Sequence, residues 1–168
     1  EYYAHYGPDE TSEAILSVLD RFLEGDAAVL EPGCSSGRHL AHPYEQGYTD
    51  LTGIEVNADA FDVMGETYPD LADAGTFYHA AVEDLVTEFD DGRFDAVFSV
   101  ETLQHIHPDA VWVFAELARV TDDLLVTVPW QVASDGPRKD VVAEPPVSRT
   151  EADRAQVEST LKDLGYLD

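Results

Sequence analysis

Two acids and a run of small residues carry the chemistry of this chain. Glu31-Pro32-Gly33-Cys34-Ser35-Ser36-Gly37 sets a carboxylate immediately before a turn built from glycine, cysteine and serine. Gly33 and Gly37 have no Cβ, so a ligand can approach the backbone closely there. A helix beginning after Gly37 would turn its free N–H groups and positive dipole end toward that ligand. Further on, Leu51-Thr52-Gly53-Ile54-Glu55 ends an apolar stretch in a second acid. An acid at the carboxyl end of a buried strand stands where open α/β sheets collect ligands. Such an arrangement suits recognition of a small polar molecule. Cys34 is the single cysteine, which excludes an internal disulfide framework and a cysteine metal cluster. His5, His105 and His107 lack the pattern of a metal set, so no metal is expected.

Elements must hold those residues in place. Ala27-Ala28-Val29-Leu30 is apolar throughout, as a strand covered on both faces requires. Before it, Ile15, Leu16, Leu19, Phe22 and Leu23 recur at helical spacing, predicting an amphipathic helix over 12–23. After the turn, a helix over 38–46 meets Pro43, which should kink or shorten it before Gly47 closes it. Asn57 or Asp59 caps a next helix that stops before Pro69. Residues 76–80 form a third strand, and 82–85 open a short helix. Phe94 to Val100 is a fourth strand, and 124–129 a fifth. Between them a helix over 108–120 is expected to turn Val111, Phe114, Ala115 and Ala118 inward. Residues 131–147 read as loop, and 150–164 return to helical spacing. Strands alternating with helices imply right-handed crossovers and a parallel sheet. The whole of 1–168 reads as one α/β domain, with an aromatic start over 1–11 that is either a lid or a segment pinned by its tyrosines.

Charge bounds the partners. With 35 acidic against 9 basic residues the net charge is −26, and only Lys139 and Lys162 are lysines. That surface repels phosphate backbones and anionic lipid, so neither nucleic acid nor membrane is an expected partner. No apolar run reaches the roughly 18 residues of a membrane span. A cytoplasmic setting is expected. The acids are spread along the chain, which resembles the proteins of salt-loving archaea. At molar salt the Debye length falls to about 3 Å, and self-repulsion is screened. An acidic surface built for a basic partner is the competing reading.

The motifs together resemble the class I S-adenosylmethionine-dependent methyltransferases, in the small-molecule branch related to quinone-biosynthesis enzymes. Glu31 to Gly37 is similar to the glycine-rich first motif, Gly53-Ile54-Glu55 to the second strand with its terminal acid, and Phe94 to Ser99 with Leu103-Gln104-His105-Ile106 to the fourth strand and its loop. The likeness spans roughly 27–129. It implies a Rossmann-like, doubly wound, mostly parallel sheet and S-adenosyl-L-methionine as cofactor. It also implies an antiparallel strand pair near the end of the domain. No such pair is evident here, so either the chain is truncated or the sheet keeps five main strands and an exposed edge through which a homodimer could form.

The same resemblance implies the site. Gly33, Cys34, Ser35 and Gly37 would receive the amino-acid tail, with Glu31 near its ammonium. Glu55 would accept both ribose hydroxyls from two fitting oxygens, and its ligand-free carboxylate is expected to be wet. Val56 would lie on the adenine face, Val82 and Glu83 would edge the adenine, and Ser99 and Val100 would flank the sulfonium. Ser35 replaces the usual middle glycine, and Ala81 an acid common in the family. Methyl transfer relies mainly on alignment and exclusion of water. An oxygen acceptor would also need a base. His105 is the candidate, with a loop-fixing hydrogen bond as its plainer role. Tyr3, Tyr6 and Trp130 are candidates for the wall of a small-molecule acceptor pocket. Two other functions stay open: a protein that binds the cofactor without turnover, and a nicotinamide dehydrogenase. The latter needs G-x-G-x-x-G, where Ser35 and Arg38 occupy the second and third glycine positions.

Overall fold

The computed structural model describes residues 10–128. Five strands form one sheet: β1 (Ala28–Pro32), β2 (Asp50–Glu55), β3 (Thr76–His79), β4 (Phe94–Val100) and β5 (Thr121–Val128). They lie in the order β3-β2-β1-β4-β5, and every pairing is parallel. The chain winds outward from β1 through β2 to β3, then returns to β4 on the other side. The switch point therefore falls between β1 and β4, where a crevice opens outside the carboxyl ends of the strands. All five residues of β1 are buried, as a strand with neighbours on both edges and helices on both faces must be. Among the described residues β3 and β5 form the sheet edges.

Helices divide between the two faces. α1 (Glu10–Phe22), α2 (Arg38–Glu45), α3 (Asp59–Thr67) and α4 (Pro69–Ala74) bury Leu19, Leu40, Met64 and Leu71 against Val29, Leu51 and Phe98. The four-residue α5 (Val82–Leu85) and α6 (Trp112–Val120) bury Val82, Val113, Leu117 and Val120 against Leu30, Ile54 and Val97. Neighbouring strand residues such as Val29 and Leu30 thus feed opposite cores, as the two-residue strand period demands.

Pro43 lies inside α2, and the helix ends two residues later at Glu45. The helix continues past the proline and stops just before Gly47, which takes φ +102°. Pro69 does more than stop α3: it occupies the first turn of α4, where a helix loses nothing by lacking a donor. The sequence reading has no helix there. The stretch from Pro108 also differs. A separate 3₁₀ turn spans Pro108–Ala110, and α6 starts at Trp112. Its buried residues are Val113, Leu117 and Val120, while Ala115 is exposed and Val111, Phe114 and Ala118 are half-buried. The break re-phases the helix, and the larger aliphatic set wins because it buries more apolar area than the alanines. β5 begins at Thr121 directly after α6, with a register shift opposite Phe94 and Ala96. No described helix is long and apolar enough to cross a membrane.

Candidate functional site

Glu31 ends β1 at the switch point and is 0% exposed. Neither carboxylate oxygen has a hydrogen-bond partner among the described residues. Only His42 Nδ1, on α2, shares that condition among their buried side-chain polar atoms. Burial pushes the Glu31 pKa well above the usual carboxylate range, and the nearby charge of Glu55 pushes it further. An uncompensated buried carboxyl group is costly to keep. This one stands beside the small-residue turn, at the carboxyl end of β1.

The turn that follows is held rigid from β2. The Gly33 and Cys34 amides both donate to the Ile54 carbonyl, at 2.7 and 3.1 Å. Gly33 and Gly37 adopt φ of +75° and +81°, and Ser35 sits between them at φ +47°. Serine there accepts a left-handed conformation that a glycine would take freely. The Ser35 amide donates to Glu55 Oε2 at 2.9 Å, and the Asn57 amide donates to Glu55 Oε1 at 2.8 Å. Glu55 is half-buried. Its carboxylate is thus already a clasp between the glycine turn and the end of β2, and the expectation of a wet, unengaged group is corrected. Each oxygen still has a second lone pair for another donor. Gly53, paired with Glu31 across the sheet, leaves the room that the Cys34 thiol fills: a Cβ there would come within 2.5 Å of Sγ.

The end of β4 closes the other side. Ser99 is buried, and its hydroxyl donates to the Pro32 carbonyl at 2.9 Å, tying β4 to β1 just before the turn. Val100 is half-buried against the core. Glu101 then takes φ +54°. Thr102 donates to the Val100 carbonyl at 3.0 Å and lies over Gly33, where a Cβ would overlap its side chain. The sequence reading passes over Thr102, because no motif marks a side chain that fills the room left by another residue's missing one. A 3₁₀ turn over Leu103–His105 follows, with His105 exposed and 3.4 Å from the Gln104 amide nitrogen. Among the described residues no carboxylate bonds to the His105 ring.

The remaining expected residues spread along the same edge. Val56 is 68% exposed beyond Glu55. The His79 ring nitrogen Nε2 lies 3.1 Å from the Val56 carbonyl. The Val82 side chain is sunk in the core, which leaves only backbone at that position for a ligand, and Glu83 is half-buried. Cys34 is buried, and burial with the charges of Glu31 and Glu55 raises its thiol pKa, so it stays protonated and is no nucleophile. Tyr3, Tyr6 and Trp130 lie outside the described residues, as do the loop over 131–147, the helix over 150–164 and the part of the expected 1–11 lid over 1–9, whereas Glu10 and Thr11 belong to α1. No group of three or more His, Cys, Asp and Glu able to hold a metal gathers among the described residues. A hollow of about 360 Å³ lined by Phe22, Asp26, Asp95 and Asp123 includes none of the site residues.

Residues 29–123 match the family model described as a methyltransferase domain. Solved structures share the fold. A protein assigned as an S-adenosyl-L-methionine-dependent methyltransferase from Methanococcus maripaludis superposes with a TM-score of 0.59 at 13% identity, over 69% of this chain and 54% of that one. A protein assigned as a sarcosine dimethylglycine methyltransferase from Galdieria sulphuraria gives 0.59 at 21%, over 69% and 45%. The geranyl diphosphate C-methyltransferase of Streptomyces coelicolor A3(2), in complex with Mg2+, geranyl diphosphate and S-adenosyl-L-homocysteine, gives 0.57 at 18%, over 70% and 44%. The chain spans about half the length of these proteins.

Proposed function

We propose that this chain, which belongs to the class I S-adenosylmethionine-dependent methyltransferases, transfers a methyl group from that cofactor to a small-molecule acceptor. The observation that carries the reading is the fully buried Glu31 carboxylate with two unpartnered oxygens beside the glycine turn. A ligand with an ammonium group would supply the missing donors, and the family's cofactor has one. Gly33, Cys34, Ser35 and Gly37 would receive its amino-acid tail through the backbone. Glu55 would accept the ribose hydroxyls on the lone pairs that Ser35 and Asn57 leave free. Val56 would lie against the adenine, with the backbone at Val82 and the side chain of Glu83 at its edge. When bound, the cofactor supplies an electrophilic methyl group. The residues of the chain then have three tasks: to orient, to exclude water, and to accept a proton where the acceptor carries one. Ser99 and Val100 place the β4 end beside the turn, and His105 is the base we assign for an oxygen acceptor. Tyr3, Tyr6 and Trp130 are proposed for the acceptor wall.

Incubating the protein with tritiated-methyl cofactor and a pool of cellular metabolites tests this. Label is expected in a low-molecular-weight product that forms in proportion to enzyme and time. Stoichiometric cofactor binding with no label transferred would favour a binding protein that keeps the fold without turnover.

We also propose that the protein works in a concentrated-salt cytoplasm. A net charge of −26 spread over the chain motivates this. The thermal midpoint should rise from low salt to molar potassium chloride as repulsion is screened. A midpoint that falls or stays level over that range contradicts it.

A further inference from the structure

We propose that Thr102 is a positioning residue that seats the turn Leu103–His105 on the glycine turn through Gly33, so that a ligand held by the glycine turn also orders the segment carrying His105. The inference rests on the cofactor reading above for the identity of that ligand.

Gly33 has a left-handed backbone, and the place where its Cβ would stand is filled by Thr102: the two Cβ positions would be only 2.6 Å apart. Glycine at 33 is therefore required by the neighbour as well as by the turn. Thr102 is fixed in turn by its hydroxyl, which donates to the Val100 carbonyl at 3.0 Å. Its own carbonyl accepts the His105 amide at 2.9 Å, and the Leu103 carbonyl accepts the Ile106 amide at 3.3 Å. Leu103 is buried in the core, while Gln104 and His105 are exposed. The 3₁₀ turn thus hangs from one apolar anchor and from Thr102.

The residue just before is strained. Glu101 takes φ +54°, a conformation that a residue with a side chain keeps only where its surroundings enforce it. The contact over Gly33 and the bond to Val100 are the enforcing features on that side. Gly33 is itself pinned, its amide 2.7 Å from the Ile54 carbonyl. A close-packed chain therefore runs from β2 through Gly33 and Thr102 to the His105 amide. Packed contacts of this kind pass on small displacements instead of absorbing them.

Amide hydrogen exchange with S-adenosyl-L-homocysteine as the probe tests the coupling, because the His105 and Ile106 amides report closure of the turn. In the parent protein, saturating probe should slow both by about tenfold or more. Thr102→Ala removes the hydroxyl and the methyl but keeps the backbone. It should bind the probe within about threefold of the parent, while the slowing falls below about twofold. Thr102→Ser keeps the hydroxyl and should restore most of it. Full slowing in Thr102→Ala, or none in a parent that binds the probe, overturns the proposal and leaves the cofactor reading standing. Failure of the parent to bind the probe refutes the cofactor reading, and the coupling falls with it.

Discussion

Glu31→Met should make the ligand-free protein more stable and its cofactor site much weaker. The Glu31 carboxyl group is fully buried and unpartnered. Replacing it with an apolar side chain of similar shape removes a desolvated polar group and should raise stability by about 1–3 kcal/mol. The same change removes a charge-assisted hydrogen bond to the cofactor ammonium. At about 1.5–3 kcal/mol this corresponds to roughly ten- to 150-fold in affinity for S-adenosyl-L-homocysteine. The pH dependence has a definite sign. The folded-state pKa lies above the ordinary value of 4.5, first because of burial and then because of Glu55. Above about pH 4.5 the unfolded chain releases a proton that the folded chain retains. The Glu31 contribution therefore leaves stability untouched below that pH. It lowers stability as pH rises toward the folded value, by at most about 1.4 kcal/mol per pH unit. Glu31→Gln should remove this slope. Denaturant titrations of parent and variants across pH 5–8 check both parts. A Glu31→Met protein less stable than the parent, or one that binds as tightly, contradicts the role assigned to the group.

Glu55→Ala is expected to cost the protein twice. Its oxygens accept from Ser35 and Asn57, so truncation frees two backbone donors and unclasps the glycine turn from β2. Loss of those bonds should destabilise by about 1–3 kcal/mol, since the site is only half-buried and water can take over part of the work. Cofactor affinity should fall by roughly ten- to a few hundredfold, because the ribose acceptors and the turn geometry go together. Glu55→Gln keeps one oxygen acceptor and should fall between. Glu66→Ala, exposed on α3, serves as the control and should leave binding intact. Thermal midpoints and calorimetric titrations check both effects. Parent-like affinity in Glu55→Ala would remove this position from the site.

Much of this arrangement is legible in the sequence, for identifiable reasons. Apolar runs that end in an acid mark β1 and β2, and covered parallel strands cannot hide that pattern. Phe94 to Val100 is read with its observed bounds, because Phe94, Val97, Phe98 and Val100 form a short apolar, β-favouring stretch. The ordered set Glu31, Gly33, Gly37 and Glu55 follows from position at strand ends. What the sequence conceals is tertiary. Whether Glu55 is free or engaged depends on the Ser35 amide, and a backbone donor leaves no mark in residue identity. The packing of Thr102 over Gly33 joins residues far apart in the chain. The phase of α6 is set by a break after Pro108 and by which aliphatic set the sheet accepts. The start of α4 is hidden because proline serves both as a stop for α3 and as a first residue for the next helix.

The most direct test of the site is calorimetric titration of the parent protein in molar potassium chloride with S-adenosyl-L-homocysteine and, separately, with NAD. The turn bounded by Glu31 and Gly37 should bind the first at one site per chain and give no heat with the second, since Ser35 and Arg38 stand where a dinucleotide turn needs glycine. Saturable NAD binding with no response to S-adenosyl-L-homocysteine would contradict the assignment of this edge of the sheet.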